Sequence, residues 1–181
     1  MNIVITGAGK GIGLALVRRF LQSPDHKIWV CSRQVESLFA LDSDRLIVEA
    51  LDIALASESS IHQLVSKHFN KVDILIHNAG MLINEPFENT SLDAWRTVFE
   101  VNLFSAIKII QALLPLIRQS NAGHIIHIGS MGGVQGSSKF PGLSAYSASK
   151  AALANLSECM AEELKSDGTH VTCLPLGAVD T

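Results

Sequence analysis

The chain has 181 residues, of which 48% are apolar and 17% charged, and its formal net charge is −3. That length carries one domain with a sizeable core, and the composition excludes a disordered chain. The slight acidity gives no reason to expect nucleic acid or an anionic membrane as a partner, and no apolar run reaches the about 18 residues that a bilayer span needs.

In chain order, β-rich runs at 2–6, 27–31, 45–50, 72–77, 124–129 and 169–174 alternate with helical stretches at 12–21, 57–69, 92–119 and 145–165. The link between the second and third runs is short enough to hold only a helical turn. Most of the β-rich runs are continuously apolar, as strands buried on both faces are. Six strands with helices between them predict one α/β domain over residues 1–181, a doubly wound parallel sheet in three α/β/α layers. Such sheets bind ligands outside the carboxyl ends of their strands. Met1 runs straight into Ile3-Val4-Ile5, with no basic segment and no small-residue cleavage site, so no signal peptide is expected. The three cysteines (Cys31, Cys159 and Cys173) include no CxxC pair and read as reduced thiols of a cytoplasmic protein. His124 and His127 fall on opposite faces of a strand, and no metal site is expected.

The stretch 92–119 is apolar around most of its circumference, through Val101, Leu103, Phe104, Ile107, Ile109, Ile110, Leu113 and Leu114. A helix with one wet face does not look like this. It is either sandwiched in the core or covered by another subunit, and Pro115 is expected to kink its last turns.

The first strand runs into Thr6-Gly7-Ala8-Gly9-Lys10-Gly11-Ile12-Gly13, and a helical pattern follows. Glycines at the junction of strand and helix allow a tight turn and let backbone N–H groups approach a pyrophosphate at the helix N-terminus. A glycine triplet alone also fits a turn without ligand. Its place inside a βαβ unit is what makes it a nucleotide loop. A P-loop is excluded, because Lys10 is followed by Gly11 and not by a serine or threonine opening the helix. For NAD, an acidic residue is expected about 20 positions beyond the glycines, on the ribose 2′-hydroxyl. Twenty beyond Gly13 stands Arg33, preceded by Ser32. With Lys10, Arg33 places two cations where a 2′-phosphate would lie, which selects NADP(H) over NAD.

Tyr146-Ser147-Ala148-Ser149-Lys150 opens the last helical stretch, and residues four apart share one helix face. An ammonium beside a phenol favours the phenolate, which suits Tyr146 to giving and taking a proton. Alone, the pair also fits an ordinary surface Tyr–Lys contact.

Taken with Asp52 after the third strand, His77-Asn78-Ala79-Gly80 after the fourth, Asn102, and Ser130 after the fifth, these motifs resemble the short-chain dehydrogenase/reductase family over essentially the whole chain. The GxxxGxG spacing resembles its oxidoreductase branch. The resemblance implies hydride transfer between NADP(H) and a carbonyl or secondary alcohol, as in a carbonyl reductase. Ser130 and Tyr146 then hydrogen-bond the substrate oxygen. Lys150 contacts the nicotinamide ribose and tunes Tyr146, and Asn102 holds a water that passes protons onward from Lys150. Gly7, Gly9, Lys10, Gly11, Ile12 and Gly13 cradle the pyrophosphate side, Ser32 and Arg33 the adenosine ribose, Asp52 and Ile53 the adenine, and Asn78, Ala79 and Gly80 the rest of the cofactor. For Asp52 and Asn102, plain capping or backbone-satisfying roles are the alternative readings. The partners implied are a small carbonyl or alcohol substrate and further copies of the chain in a homodimer or homotetramer.

Three departures stand out. His77 replaces the family's usual asparagine, at a position where the backbone is expected to matter most. Ser130 and Tyr146 are sixteen apart, about one turn more than is common, and the extra residues fall in 136–142, beside the expected substrate. The family's Pro-Gly after the sixth strand appears as Leu176-Gly177, which blurs a nicotinamide-side contact by Gly177 and Thr181. Residues 81–87 and 131–143 are the expected substrate lining. The family's substrate loop and last strand do not follow Thr181. The uncharged run Val171-Thr172-Cys173-Leu174 would then be an open sheet edge, so the natural polypeptide is expected to extend further. The alternative function is a non-catalytic NADP(H)-binding sensor or scaffold on the same fold.

Overall fold

The computed structural model describes residues 1–179. Six parallel strands form one sheet in the order β3-β2-β1-β4-β5-β6: β1 (Asn2–Thr6), β2 (Lys27–Ser32), β3 (Leu46–Ala50), β4 (Ile74–His77), β5 (His124–Ile128) and β6 (His170–Leu174). The order reverses between β1 and β4, whose register sets Ile3 against Ile74 and Ile5 against Ile76. The strands at the centre are buried on both faces, whereas β3 and β6 are only half-buried. Among the described residues β6 is an edge strand.

Alternation along the strands divides the core in two. Val4, Trp29, Leu75 and Ile125 face the layer built by α3 (Glu58–Ser66), α5 (Ser105–Ile117) and α6 (Ser144–Glu163). Ile3, Ile5, Ile28, Val30 and Ile76 face α1 (Gly11–Leu21) and the single-turn α2 (Glu36–Phe39), through Val17 and Leu38. This is the three-layer arrangement the sequence predicts.

The stretch read as one helix at 92–119 departs from that reading. It is α4 (Leu92–Phe99), a π-helical turn at Glu100–Phe104, and α5. The interruption lies at the π-turn, while Pro115 is accommodated inside α5. By length and composition Leu92–Ile117 would cross a membrane. Here it is a core helix, with Val98, Ile109, Leu113 and Ile117 buried. Phe104, on its other side, is exposed.

Candidate active site at the sheet reversal

The glycine loop closes over the end of β1. Gly7 has φ +65°, and a Cβ there would stand 2.7 Å from the Ala79 Cα, so the backbone of the β4 end excludes any side chain. Gly7 N–H donates to the Cys31 carbonyl (2.8 Å), which ties the loop to β2. The Ser37 hydroxyl donates to the Gly9 carbonyl from the α2 side. Lys10 precedes α1 in extended conformation, with no side chain capping the helix and no acidic residue in its first turn. The helix therefore begins with uncapped N–H groups and the positive end of its dipole at the loop, which fits a pyrophosphate.

Beside the loop, Ser32 ends β2 and is half-buried, while Arg33 and Lys10 are exposed. Asp52 Oδ1 accepts from the Ala54 N–H (3.0 Å), so the carboxylate closes its own turn. Ile53 packs into the core beside α3, leaving its backbone and not its side chain to meet an adenine.

At the end of β4, Asn78 Nδ2 donates to the carbonyls of Thr6 (3.1 Å) and Gly7 (2.9 Å). Thr6 Oγ1 in turn accepts from Ala79 N–H (3.0 Å). The glycine spacing does not by itself mark Thr6 as a site residue. Its signal was present, since a buried hydroxyl at a strand end needs a partner.

The other half of the site hangs on β5 and α6. A cavity of about 450 Å³ is lined by Ile12, Asn78, Gly80, Met81, Leu82, Ile128, Gly129, Ser130, Tyr146, Lys150, Leu176, Gly177 and Val179. The cavity thus joins the glycine-loop helix, the β4 end and the Tyr146 helix. Ser130 Oγ accepts from the Gly132 N–H (3.2 Å), and neither its hydroxyl hydrogen nor that of Tyr146 has an acceptor among the described residues. Lys150 is 4% exposed. Its Nζ donates to the Ile128 carbonyl (2.8 Å) and stands 6.0 Å from the centre of the Tyr146 ring. Burial pushes its ammonium down from 10.5 to about 8.

Asn102 is fully buried at the π-turn. Its Oδ1 accepts from Met81 N–H (2.7 Å), and its Nδ2 donates to the Met81 carbonyl (2.9 Å) and to Ser149 Oγ (2.9 Å). Ser149 Oγ donates to the Tyr146 carbonyl (2.7 Å). The amide joins the β4 end to the Tyr146 helix and has no hydrogen left to give to a water.

Of the expected substrate lining, only Met81 and Leu82 face the cavity. The loop after Ser130 is held by backbone contacts. Glu85 N–H donates to the Gly142 carbonyl (2.9 Å), and Lys139 Nζ bonds the carbonyls of Gly132 and Val134. Gly177 does line the cavity; Thr181 lies outside the described residues.

A family model described as short chain dehydrogenase matches residues 1–181. The chain is 34% identical over 194 residues to the benzil reductase ((S)-benzoin forming) of Saccharomyces cerevisiae, covering 99% of this chain and 72% of that one. It is 31% identical to the NADP-dependent 3-hydroxy acid dehydrogenase of Escherichia coli, covering 99% and 73%. A Shigella flexneri short chain dehydrogenase complexed with NADP superposes with a TM-score of 0.87 at 26% identity, covering 97% of this chain and 76% of that one. The chain spans 65% of the length of another curated relative, an oxidoreductase of Botryotinia fuckeliana. The matched family, the shared fold and the single cavity that gathers Ser130, Tyr146 and Lys150 agree, and the chain belongs to the short-chain dehydrogenase family.

Proposed function

We propose that this chain is an NADP(H)-dependent oxidoreductase that moves a hydride between the nicotinamide and a carbonyl or secondary alcohol, with Tyr146 as general acid and base. The observation that carries the reading is the shared cavity, whose lining joins Ser130, Tyr146 and Lys150 to Asn78 and Gly80. The bound nicotinamide supplies or accepts the hydride. The chain's own residues manage the charge that hydride transfer builds on the substrate oxygen. Ser130 gives that oxygen a hydrogen bond, and Tyr146 gives it a proton. The buried Lys150 ammonium, fixed on the Ile128 carbonyl, favours the phenolate left behind. Asn102 holds the Tyr146 helix against the β4 end, and a proton relay through it would have to use its oxygen atoms.

The choice of NADP(H) is supported by Arg33 and Lys10, both exposed beside the loop, with Ser32 and not a carboxylate ending β2. Two of the similar proteins also point this way, one NADP-dependent by name and one complexed with NADP. A similar benzil reductase supports a carbonyl substrate. We place the protein in the cytoplasm as a homodimer or homotetramer.

Tyr146→Phe keeps the ring and removes the proton. Turnover with a panel of ketones should fall by about 10²–10⁴, while NADPH binding, followed by nucleotide fluorescence, stays as in the wild type. Near-normal turnover in the Phe variant overturns the assignment.

A further inference from the structure

His77, which departs from the family's usual residue, sits at the carboxyl end of β4 with its ring fully buried, in register with His127 on β5. The two rings meet edge to face, 5.7 Å between centres. Cys173 on β6 continues the same row, in register with His127. Nothing in the proposed hydride transfer uses this row, yet one of its members reaches the site.

His77 Nε2 lies 3.1 Å from Ser105 Oγ. The Ser105 hydroxyl has already given its hydrogen to the Val101 carbonyl, at 2.6 Å. Ser105 Oγ is therefore the acceptor, and His77 must be the donor, as the tautomer protonated on Nε2. Its Nδ1 has no partner among the described residues, as an unprotonated ring nitrogen allows. Burial, with His127 and Lys150 nearby, holds the ring well below the usual histidine range and so neutral.

The acceptor chain ends at the π-turn. In a regular helix the Ser105 N–H would bond the Val101 carbonyl four residues back. Here it bonds Glu100, five residues back. The hydroxyl takes over the Val101 carbonyl that the wide turn would leave without that amide. The same turn carries Asn102, which grips Met81 and Ser149.

We propose that His77 is a positioning residue: through Ser105 and the Val101 carbonyl it fixes the π-turn that presents Asn102 to Met81 and to the Tyr146 helix. The effect on turnover rests on the oxidoreductase reading, but the clamp itself does not, and the two are tested separately. Gln places an amide N–H near the position of the imidazole Nε2, whereas Asn places it at Nδ1, short of Ser105. The set is His77→Gln, His77→Asn, His77→Leu, Ser105→Ala and the His77→Leu/Ser105→Ala double variant. Amide hydrogen exchange at Met81 reports the clamp, with Ile125 in β5 as a control for general loosening.

Exchange at Met81 should quicken about tenfold in His77→Leu, His77→Asn and Ser105→Ala, the effect of losing one net hydrogen bond. It should stay within about twofold of wild type in His77→Gln, and the double variant should be no faster than either single one. Where wild-type turnover is measurable, kcat should follow the same order while the NADPH dissociation constant stays unchanged, since small misplacements act on the reacting geometry. Unchanged Met81 exchange in His77→Leu, equal loss in Gln and Leu, additive single effects, or an equal rise at Ile125 would each overturn the proposal. Absence of ketone reduction by the wild type would count against the oxidoreductase reading alone, because the exchange pattern still decides the clamp.

Discussion

Thr6 and Asn78 stand 72 residues apart in the chain and hold one another where β1 and β4 meet. Asn78 N–H donates to Thr6 Oγ1 at 3.2 Å, and Asn78 Nδ2 returns to the Thr6 carbonyl at 3.1 Å. Thr6→Val keeps the shape and removes the acceptor from two backbone N–H groups, those of Asn78 and Ala79. The variant should lose about 1–3 kcal/mol of stability in urea unfolding and bind NADPH more weakly than the wild type. If stability and affinity are both unchanged, the hydroxyl does not brace the loop.

Arg33→Asp should exchange an attraction for a repulsion at the adenosine ribose. NADPH should weaken by about thirtyfold or more, the cost of removing one partner from a charge pair, and NADH by far less. Titrating both nucleotides against both proteins checks this. Equal losses would mean that Arg33 acts through the loop's fold and not through the 2′-phosphate.

The depressed Lys150 ammonium sets a pH dependence of stability. Its folded value is about 8 against an ordinary 10.5. Between those values the unfolded chain holds the proton and the folded chain does not, so stability rises with pH across that window. Below pH 8 the charge is buried in full. Lys150→Met should therefore gain most over the wild type near pH 7, by about 3 kcal/mol at most, with the gap closing towards pH 10.5. Urea unfolding of both proteins at several pH values checks the sign. A gap that does not change with pH would place the Lys150 value near the ordinary one.

Assembly is testable at the exposed apolar residues on and around α4 and the π-turn. Leu92 and Phe87 are each 71% exposed and Phe104 49%. Trp95 stacks on Phe99 with ring centres 6.2 Å apart, beside Phe87. Exposed large apolar side chains of this kind are characteristic of a contact between subunits. Sedimentation at micromolar concentration should show a dimer or tetramer, and Leu92→Glu with Phe104→Glu should shift it to monomer. A monomeric wild type refutes the assembly.

The sheet, its helices and the glycine loop were legible because each has a sequence period or a backbone requirement of its own. Strand β1 was read to the residue, and the single turn between β2 and β3 was expected from the short link. The π-turn was not legible. One extra residue in a helical run leaves the apolar spacing of Val101, Leu103 and Phe104 intact, and only the backbone bond from Ser105 to Glu100 reveals it. Ser149 was overlooked for a related reason. The Tyr–Lys spacing draws the eye to one face of α6, while Ser149 turns to Asn102. The course of the loop at 131–143 was not legible, because length says that residues are extra but not where they fold. Lys139 and Gly142 decide that through backbone carbonyls no side-chain pattern announces. His77 was discounted as a backbone position, and its ring proved to have a partner in Ser105.

The reversal of strand order between β1 and β4 also sets a timetable for synthesis. The glycine loop leaves the ribosome first, but the residues that brace it, Asn78 and Ala79, come 72 and 73 positions after Thr6. Until they emerge, the nascent chain has glycines without a wall behind them, and a nucleotide arriving early meets no finished cradle. Lys150 comes later still, 22 positions after the Ile128 carbonyl to which its ammonium donates. A ligand that binds only the completed arrangement draws the folding equilibrium towards it. A nicotinamide nucleotide that binds there would thus act on the newborn protein as an inspector of its topology.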